Sequence, residues 1–135
     1  MIDTIYSLAA RCDWFLPGLA EGKILTGLDT PEEIASYYFK LGVSLVVIKL
    51  GPEGAYYRSA DGSEGIVKGF KVEKVIDTVG AGDGFATGVV SALLEKLPTK
   101  EAVRRGNAIG ALAVMSRGDM DGLPTREELA RFMNR

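Results

Sequence analysis

The stretch VSLVVIKL, residues 43–50, is a near-continuous apolar run of strand length built on Val43, Leu45, Val46, Val47 and Ile48. A strand with one face in water alternates apolar and polar residues. A run apolar at successive positions suits a strand covered on both faces, as in a parallel sheet flanked by helices. Its surroundings fit that arrangement. Residues 1–11 read as a helix with Ile2, Ile5, Leu8 and Ala9 on one face and no cap before them, and CDWFLP reads as a short strand ending at Pro17. LDTPEEIASYYFKLG carries a helix start, with Thr30 as N-cap, Pro31 in the first helical position and Glu33 closing a capping box. Gly42 ends that helix. Strands alternating with helices predict a layered α/β fold.

Beyond the run, GPEG and ADGSEG read as turns around a strand AYYRS, and IVKGFKVEKVI predicts one or two further short strands. Phe85, Val89, Leu93 and Leu97 then recur four apart, with Val90 and Leu94 beside them, which is the buried face of a helix. Pro98 and Thr99 stop it and start another, roughly over 99–116, whose Ala and Gly content predicts tight packing. Thr125 and Glu128 form a second capping box for a last helix. No repeat or linker interrupts the chain, so residues 1–135 are expected to form a single domain.

Composition excludes several classes of function. The chain is 47% apolar and 25% charged, enough for a packed core, and its net charge of −2 is spread without a basic stripe for nucleic acid. No apolar run approaches the roughly 20 residues that span a bilayer, and the N-terminal residues do not read as a signal peptide. The one cysteine, Cys12, permits no internal disulfide and no cysteine-based zinc site; it is expected to be buried and inert in a reduced, cytoplasmic compartment. There is no histidine, so acid–base chemistry falls to carboxylates, lysines or tyrosines. Trp14, Phe15, Tyr37, Tyr38 and Phe39 are expected in the core or an interface, and Arg104, Arg105, Arg126 and Arg131 on solvated helix faces.

The most informative stretch is VIDTVGAGDGFATGVVSALL, residues 75–94, which gathers Gly80, Gly82, Gly84 and Gly88 around Asp83 where a helix begins. Glycines let backbone N–H groups approach a ligand, and the first N–H groups of a helix have no internal partner. The helix dipole adds about half a positive charge there. Gly80, Ala81, Gly82 and Asp83 would thus offer donors to an anion such as a phosphoryl group. Asp83 would compete with that anion unless it has its own task, and taking a proton from an attacking hydroxyl is one. The alternative is a structural turn in which Asp83 caps the helix. A Walker A loop is absent, because no Gly-Lys-Ser/Thr follows. The dinucleotide fingerprint is absent too, since Phe85 stands where its third glycine would, which disfavours a dehydrogenase.

DTVGAGDGF, residues 77–85, closely resembles the C-terminal signature of the ribokinase-like, or phosphofructokinase-B type, carbohydrate kinases. The resemblance implies a layered α/β/α Rossmann-like fold of the ribokinase type, present here as its C-terminal portion. It implies that Asp83 is the catalytic base and that the N–H groups of Gly80, Ala81, Gly82 and Asp83 form the anion hole. KLGPEGAYY resembles the family's nucleotide-binding turn, which implies that Lys49, Gly51 and Gly54 lie near ATP, and Asn107 falls where the family places an asparagine near the adenine. Glu21, in PGLAEG, stands at the glutamate of the family's Asn-x-x-Glu motif, which organises magnesium through water, although Gly18 replaces the asparagine. In several relatives the aspartate matching Asp77 and nearby carbonyls bind a monovalent cation, so potassium is a further candidate ion. LPGLAEGKILTG is most similar to the branch acting on 2-keto-3-deoxygluconate; fructokinases, ribokinases and other sugar kinases remain open.

Family members are about twice this length, and their first half carries the opening strands, an early Gly-Gly motif and a β-lid that holds most of the sugar. The resemblance therefore implies the nucleotide-binding half of a kinase, expected to be inactive alone and to self-associate or pair with a missing N-terminal half. The alternative is a non-catalytic nucleotide-binding or interaction fragment.

Overall fold

A computed structural model describes residues 2–9, 11–115 and 123–134. The chain divides into two compact units, Met1–Val67 and Lys68–Arg135. In the first unit, α1 (Ile2–Ala9) leads to a short strand β1 (Trp14–Phe15), then α2 (Leu19–Thr26) and α3 (Pro31–Lys40). The apolar run becomes β2 (Leu45–Lys49), followed by a 3-10 turn (Gly51–Glu53), β3 (Gly54–Ser59) and β4 (Glu64–Lys68). The sheet order is β1-β2-β3-β4. β1 and β2 pair in parallel, Trp14 with Leu45 and Phe15 with Val46, while β2 and β3 pair antiparallel from Leu45 against Ser59 to Lys49 against Ala55. The sheet is therefore mixed. Leu45, Val46, Val47 and Ile48 are all buried, as a strand covered on both faces requires.

The core of this unit forms where Ile34, Ala35 and Tyr38 of α3 meet Val46, Ile48 and Tyr56 of the sheet. The sequence explains the helix. Thr30 accepts the Glu33 N–H at 3.2 Å and Pro31 supplies the first turn. The expected capping box is half made, because the Glu33 carboxylate accepts from the Thr30 hydroxyl at 2.9 Å in place of the backbone N–H. Phe15 packs on Tyr38 with ring centroids 4.6 Å apart, while Trp14 is 39% exposed. Cys12 is exposed, not buried, and its Sγ donates to the Leu8 carbonyl at 3.2 Å.

The second unit holds α4 (Ala81–Leu94), α5 (Thr99–Val114) and α6 (Arg126–Met133). Residue 116, at the end of the helix expected over roughly 99–116, lies outside the described residues, as do residues 1 and 10 of the helix expected over 1–11. The strands expected over 66–76 reduce to β4; beyond it, the N–H groups of Ile76 and Asp77 turn to the Val114 carbonyl at 2.7 and 3.2 Å instead of a strand ladder. Leu97, expected on the buried face of α4, lies beyond its end. Lys96 takes a left-handed φ of 61°, and the Lys96 and Leu97 N–H groups close back on the Leu93 and Ala92 carbonyls. That is a Schellman ending with lysine where glycine is usual.

Arg104 and Arg105 do not form a solvated face. Arg104 lies over the Phe70 ring and donates to the Met133 carbonyl, and Arg105 bonds Ser91 and the Glu95 carboxylate. Arg126, which is 85% exposed at its side chain, joins the same carboxylate at 3.2 Å. The α6 capping box is complete: Glu128 N–H donates to Thr125 Oγ1 at 3.2 Å and Thr125 N–H to Glu128 Oε2 at 2.7 Å. Among the described residues, no helix is long and apolar enough to cross a membrane.

Candidate active site

The glycine cluster builds the start of α4. Gly80 is its N-cap residue and sits in the left-handed region, φ 84° and ψ −9°. An ordinary N-cap is extended and its side chain accepts an N–H of the first turn. Gly80 does neither, so the head of α4 is left without a side-chain cap. A left-handed residue leading into a helix aims successive N–H groups into one concavity, an arrangement suited to anions. The first helical bond runs from Gly84 N–H to the Gly80 carbonyl at 2.8 Å. Ala81 N–H turns back to the Thr78 carbonyl at 3.3 Å. Of the four expected anion donors, Ala81 is thus partly engaged, and Gly80, Gly82 and Asp83 have no such partner among the described residues.

Asp83 lies in the first turn of α4 and is exposed. Its carbonyl accepts the Thr87 hydroxyl at 2.8 Å. Its carboxylate accepts no hydrogen bond from any described residue, so it does not cap the helix it stands on. Asp77 uses Oδ1 to accept the Val79 N–H at 2.9 Å. Asn107 is buried in α5 at 8% exposure and donates from Nδ2 to the Lys68 carbonyl at 3.2 Å. At least one of its amide hydrogens is therefore committed to the protein.

The first unit carries the other expected residues. Lys49 closes β2; its N–H donates to the Pro17 carbonyl at 3.0 Å, and a parallel bridge pairs it with Gly18. Glu21 follows in the first turn of α2. A Cβ placed on Gly18 would stand 3.2 Å from Glu21 Oε1, so the carboxylate folds back over the residue where the family motif has asparagine. Glu21 and Lys49 are thereby brought to the C-terminal end of the parallel pair, the end where α/β sheets bind ligands. Gly51 and Gly54 both take positive φ, 65° and 113°, in the turn after β2, which the Leu50 N–H closes on the Gly54 carbonyl at 2.9 Å.

One anchor of the glycine cluster escaped the sequence. The Val114 carbonyl, anchor of residues 76 and 77, is a main-chain group and leaves no mark in residue identity. The α4–α5 contact did leave one. A Cβ on Gly88 would lie 2.8 Å from Gly106 Cα, and one on Gly84 3.0 Å from Ile109 Cγ2. Glycines four apart, at 84 and 88 and again at 106 and 110, mark that seam. A cavity of about 310 Å³ lies away from the glycine cluster, toward the C-terminal part of α4, among Ser91, Arg105, Thr125 and Leu129. Among the described residues no group of three or more Cys, Asp or Glu side chains could hold a metal ion alone.

Comparison with known proteins gives a consistent answer. The profile of the pfkB family of carbohydrate kinases matches residues 1–126. The chain is 60% identical over 134 residues to 2-dehydro-3-deoxygluconokinase of Bacillus subtilis, covering 99% of this chain and 41% of that protein. Among solved structures, a PfkB protein from Polaromonas superposes with a TM-score of 0.81 at 52% identity, covering 96% of this chain and 39% of that one. A putative ribokinase II from Escherichia coli, solved with ATP and magnesium, gives 0.90 at 31% identity, covering 98% and 43%. The chain spans about two fifths of the length of these relatives. Its fold is the α/β fold of the ribokinase type, C-terminal portion, and the chain belongs to the pfkB family of carbohydrate kinases.

Proposed function

We propose that this chain is the C-terminal, nucleotide-binding half of a kinase that transfers the γ-phosphoryl of ATP to a hydroxyl of 2-keto-3-deoxygluconate. The substrate reading is supported by the 60% identity to a kinase of the same sugar acid, 2-dehydro-3-deoxygluconate being its other name. The nucleotide reading is supported by the E. coli neighbour solved with ATP and magnesium. One observation carries the mechanism: the Asp83 carboxylate, exposed and without a hydrogen bond among the described residues, stands at a helix start that lacks a side-chain cap.

The residues fit a phosphoryl donor. The N–H groups of Gly80, Gly82 and Asp83, without a partner among the described residues, would with Ala81 oppose the charge carried by phosphoryl oxygens. Bound ATP supplies the group to be transferred. Asp83 accepts the proton of the attacking hydroxyl as the new O–P bond forms and the bond from the γ-phosphorus to the bridging oxygen breaks, ADP leaving with that oxygen; the nucleophile is thereby kept from carrying a full positive charge. Following the family resemblance, Lys49, Gly51 and Gly54 are assigned to nucleotide contact and Asn107 to the adenine. Magnesium would be held mainly by phosphate oxygens and water, with Glu21 orienting that water.

Alone, the 135 residues supply base and cradle but are proposed not to turn over, because the resemblance assigns sugar binding to the other half of the family pattern. β1 ends the sheet order and Trp14 on it is 39% exposed, which supports pairing of that edge with the other half or with a second copy. The test is Asp83→Asn in the full-length enzyme. Turnover should fall by roughly two to four orders of magnitude, the span expected for a lost general base. ATP affinity should hold, since the backbone donors remain. Near-normal turnover would overturn the assignment.

A further inference from the structure

We propose that Asp77 is a positioning residue for phosphoryl transfer: its carboxylate, acting with the Val114 carbonyl, fixes the turn that aims the N–H groups at the head of α4. The inference rests on the reading of that turn as the phosphoryl cradle.

Residues 76–81 divide their backbone donors into two sets. Ile76 and Asp77 donate to the Val114 carbonyl at 2.7 and 3.2 Å. Val114 is the last residue of α5, where carbonyls lack intrahelical partners, and one carbonyl oxygen can accept both bonds. Val79 donates to Asp77 Oδ1 at 2.9 Å, and Ala81 to the Thr78 carbonyl at 3.3 Å. The N–H groups of Thr78, Gly80, Gly82 and Asp83 have no protein partner among the described residues. The tied donors of Val79 and Ala81 thus flank the open one of Gly80. The Asp77 brace lies one residue before Gly80, whose φ of 84° sets the direction of the whole head of α4.

Without the Asp77 acceptor, Val79 N–H is released, and Gly80 is free to leave the left-handed region because glycine has little preference for it. The open donors then lose their fixed aim. Donors that stabilise developing charge act by being held in place beforehand, and a misplacement of about 1 Å can cost on the order of a hundredfold in rate. Val79 is 56% exposed, so loosening this turn leaves the packed seam between α4 and α5 intact.

The experiment compares Asp77→Ala with Asp77→Asn in the full-length enzyme, each assayed with and without potassium, and follows hydrogen exchange at the Val79 amide. Asp77→Ala should lose about 10- to 100-fold in kcat with a smaller change in the KM for ATP, and Val79 exchange should accelerate. Asp77→Asn keeps an oxygen acceptor in the same place, so it should recover most of that loss and restore protection, with an unchanged potassium response. If Asn loses as much as Ala, or abolishes a potassium response, the carboxylate acts by its charge as a cation ligand and the proposal falls. It falls equally if Ala leaves Val79 protected. Should the wild-type enzyme phosphorylate no sugar, the functional reading fails, while the exchange data still decide whether Asp77 holds the turn.

Discussion

Substituting Gly88 by alanine tests the seam that carries the cradle. A methyl group there would lie 2.8 Å from Gly106 Cα, 2.9 Å from Gly106 N and 3.0 Å from the Arg105 carbonyl carbon. Carbon atoms pack best at about 3.5–4.0 Å, so α5 must back away by about 1 Å, and no rotamer change can relieve a clash with backbone. Overpacking of this kind costs about 1–3 kcal/mol, with backbone contacts at the upper end. Alanine returns about 1 kcal/mol through its better helix propensity. Gly88→Ala should therefore destabilise the fold by about 2 kcal/mol. Gly110 is the control. A methyl group there meets the Ala81 carbonyl oxygen at 3.5 Å, an ordinary contact, so Gly110→Ala should be neutral or gain up to about 1 kcal/mol. Urea denaturation followed by circular dichroism measures both. A Gly88→Ala variant at least as stable as Gly110→Ala would refute the reasoning.

Two further expectations concern pH. Hydrogen bonds from Arg105, then Arg126, hold the Glu95 carboxyl below its ordinary value of 4.5. A lowered folded-state pKa gives stability that is present above that value and lost as pH falls through the folded one. Glu95→Gln should flatten that acid limb of the stability curve; an unchanged limb counts against the Arg105–Glu95–Arg126 link. Tyr56 behaves in the opposite sense: burial, reinforced by its bond to Glu64, pushes its phenol well above 10.0. Its stabilisation is complete below that value and lost as pH climbs toward the folded one. Ultraviolet titration should find Tyr56 protonated after exposed phenols have ionised, and Glu64→Gln should bring it down; no change would deny the charge its part.

Much of this was legible in the sequence, for reasons that differ by residue. Thr30, Pro31 and Thr125 announce helix starts through their own side chains, and the structure places all three where local chemistry requires. VSLVVIKL announces a doubly covered strand because burial acts on every successive residue. What could not be read depends on partners remote in sequence. Lys71 to Ile76 have strand-like composition, yet a strand exists only by pairing, and here the Val114 carbonyl takes the donors of Ile76 and Asp77. Arg104 and Arg105 resemble any charged pair on a helix until Phe70, Ser91 and Glu95 are in place around them. Leu97 fits the four-residue period, but Lys96 accepts a left-handed φ that its sequence does not advertise.

The glycine cluster shows why a motif can be recognised before it is understood. Gly80, Gly82, Gly84 and Gly88 look alike in sequence, but only Gly80 among them has a positive φ. Gly82 is helical and exposed, so its lack of a side chain does not serve backbone freedom; under the proposed function it clears the approach of a phosphoryl group. Gly84 and Gly88 are buried against α5, where a Cβ would strike Ile109 or the Gly106 backbone. Three separate demands thus fall on one short segment: a left-handed cap, an open donor and a close helix contact. They are coupled through α5, because the helix pressed against Gly88 ends at the Val114 carbonyl that anchors Ile76 and Asp77. A shift of α5 away from Gly88 therefore moves the anchor of the turn that aims Gly80, Gly82 and Asp83. Packing far from the cradle and geometry within it are set by the same helix.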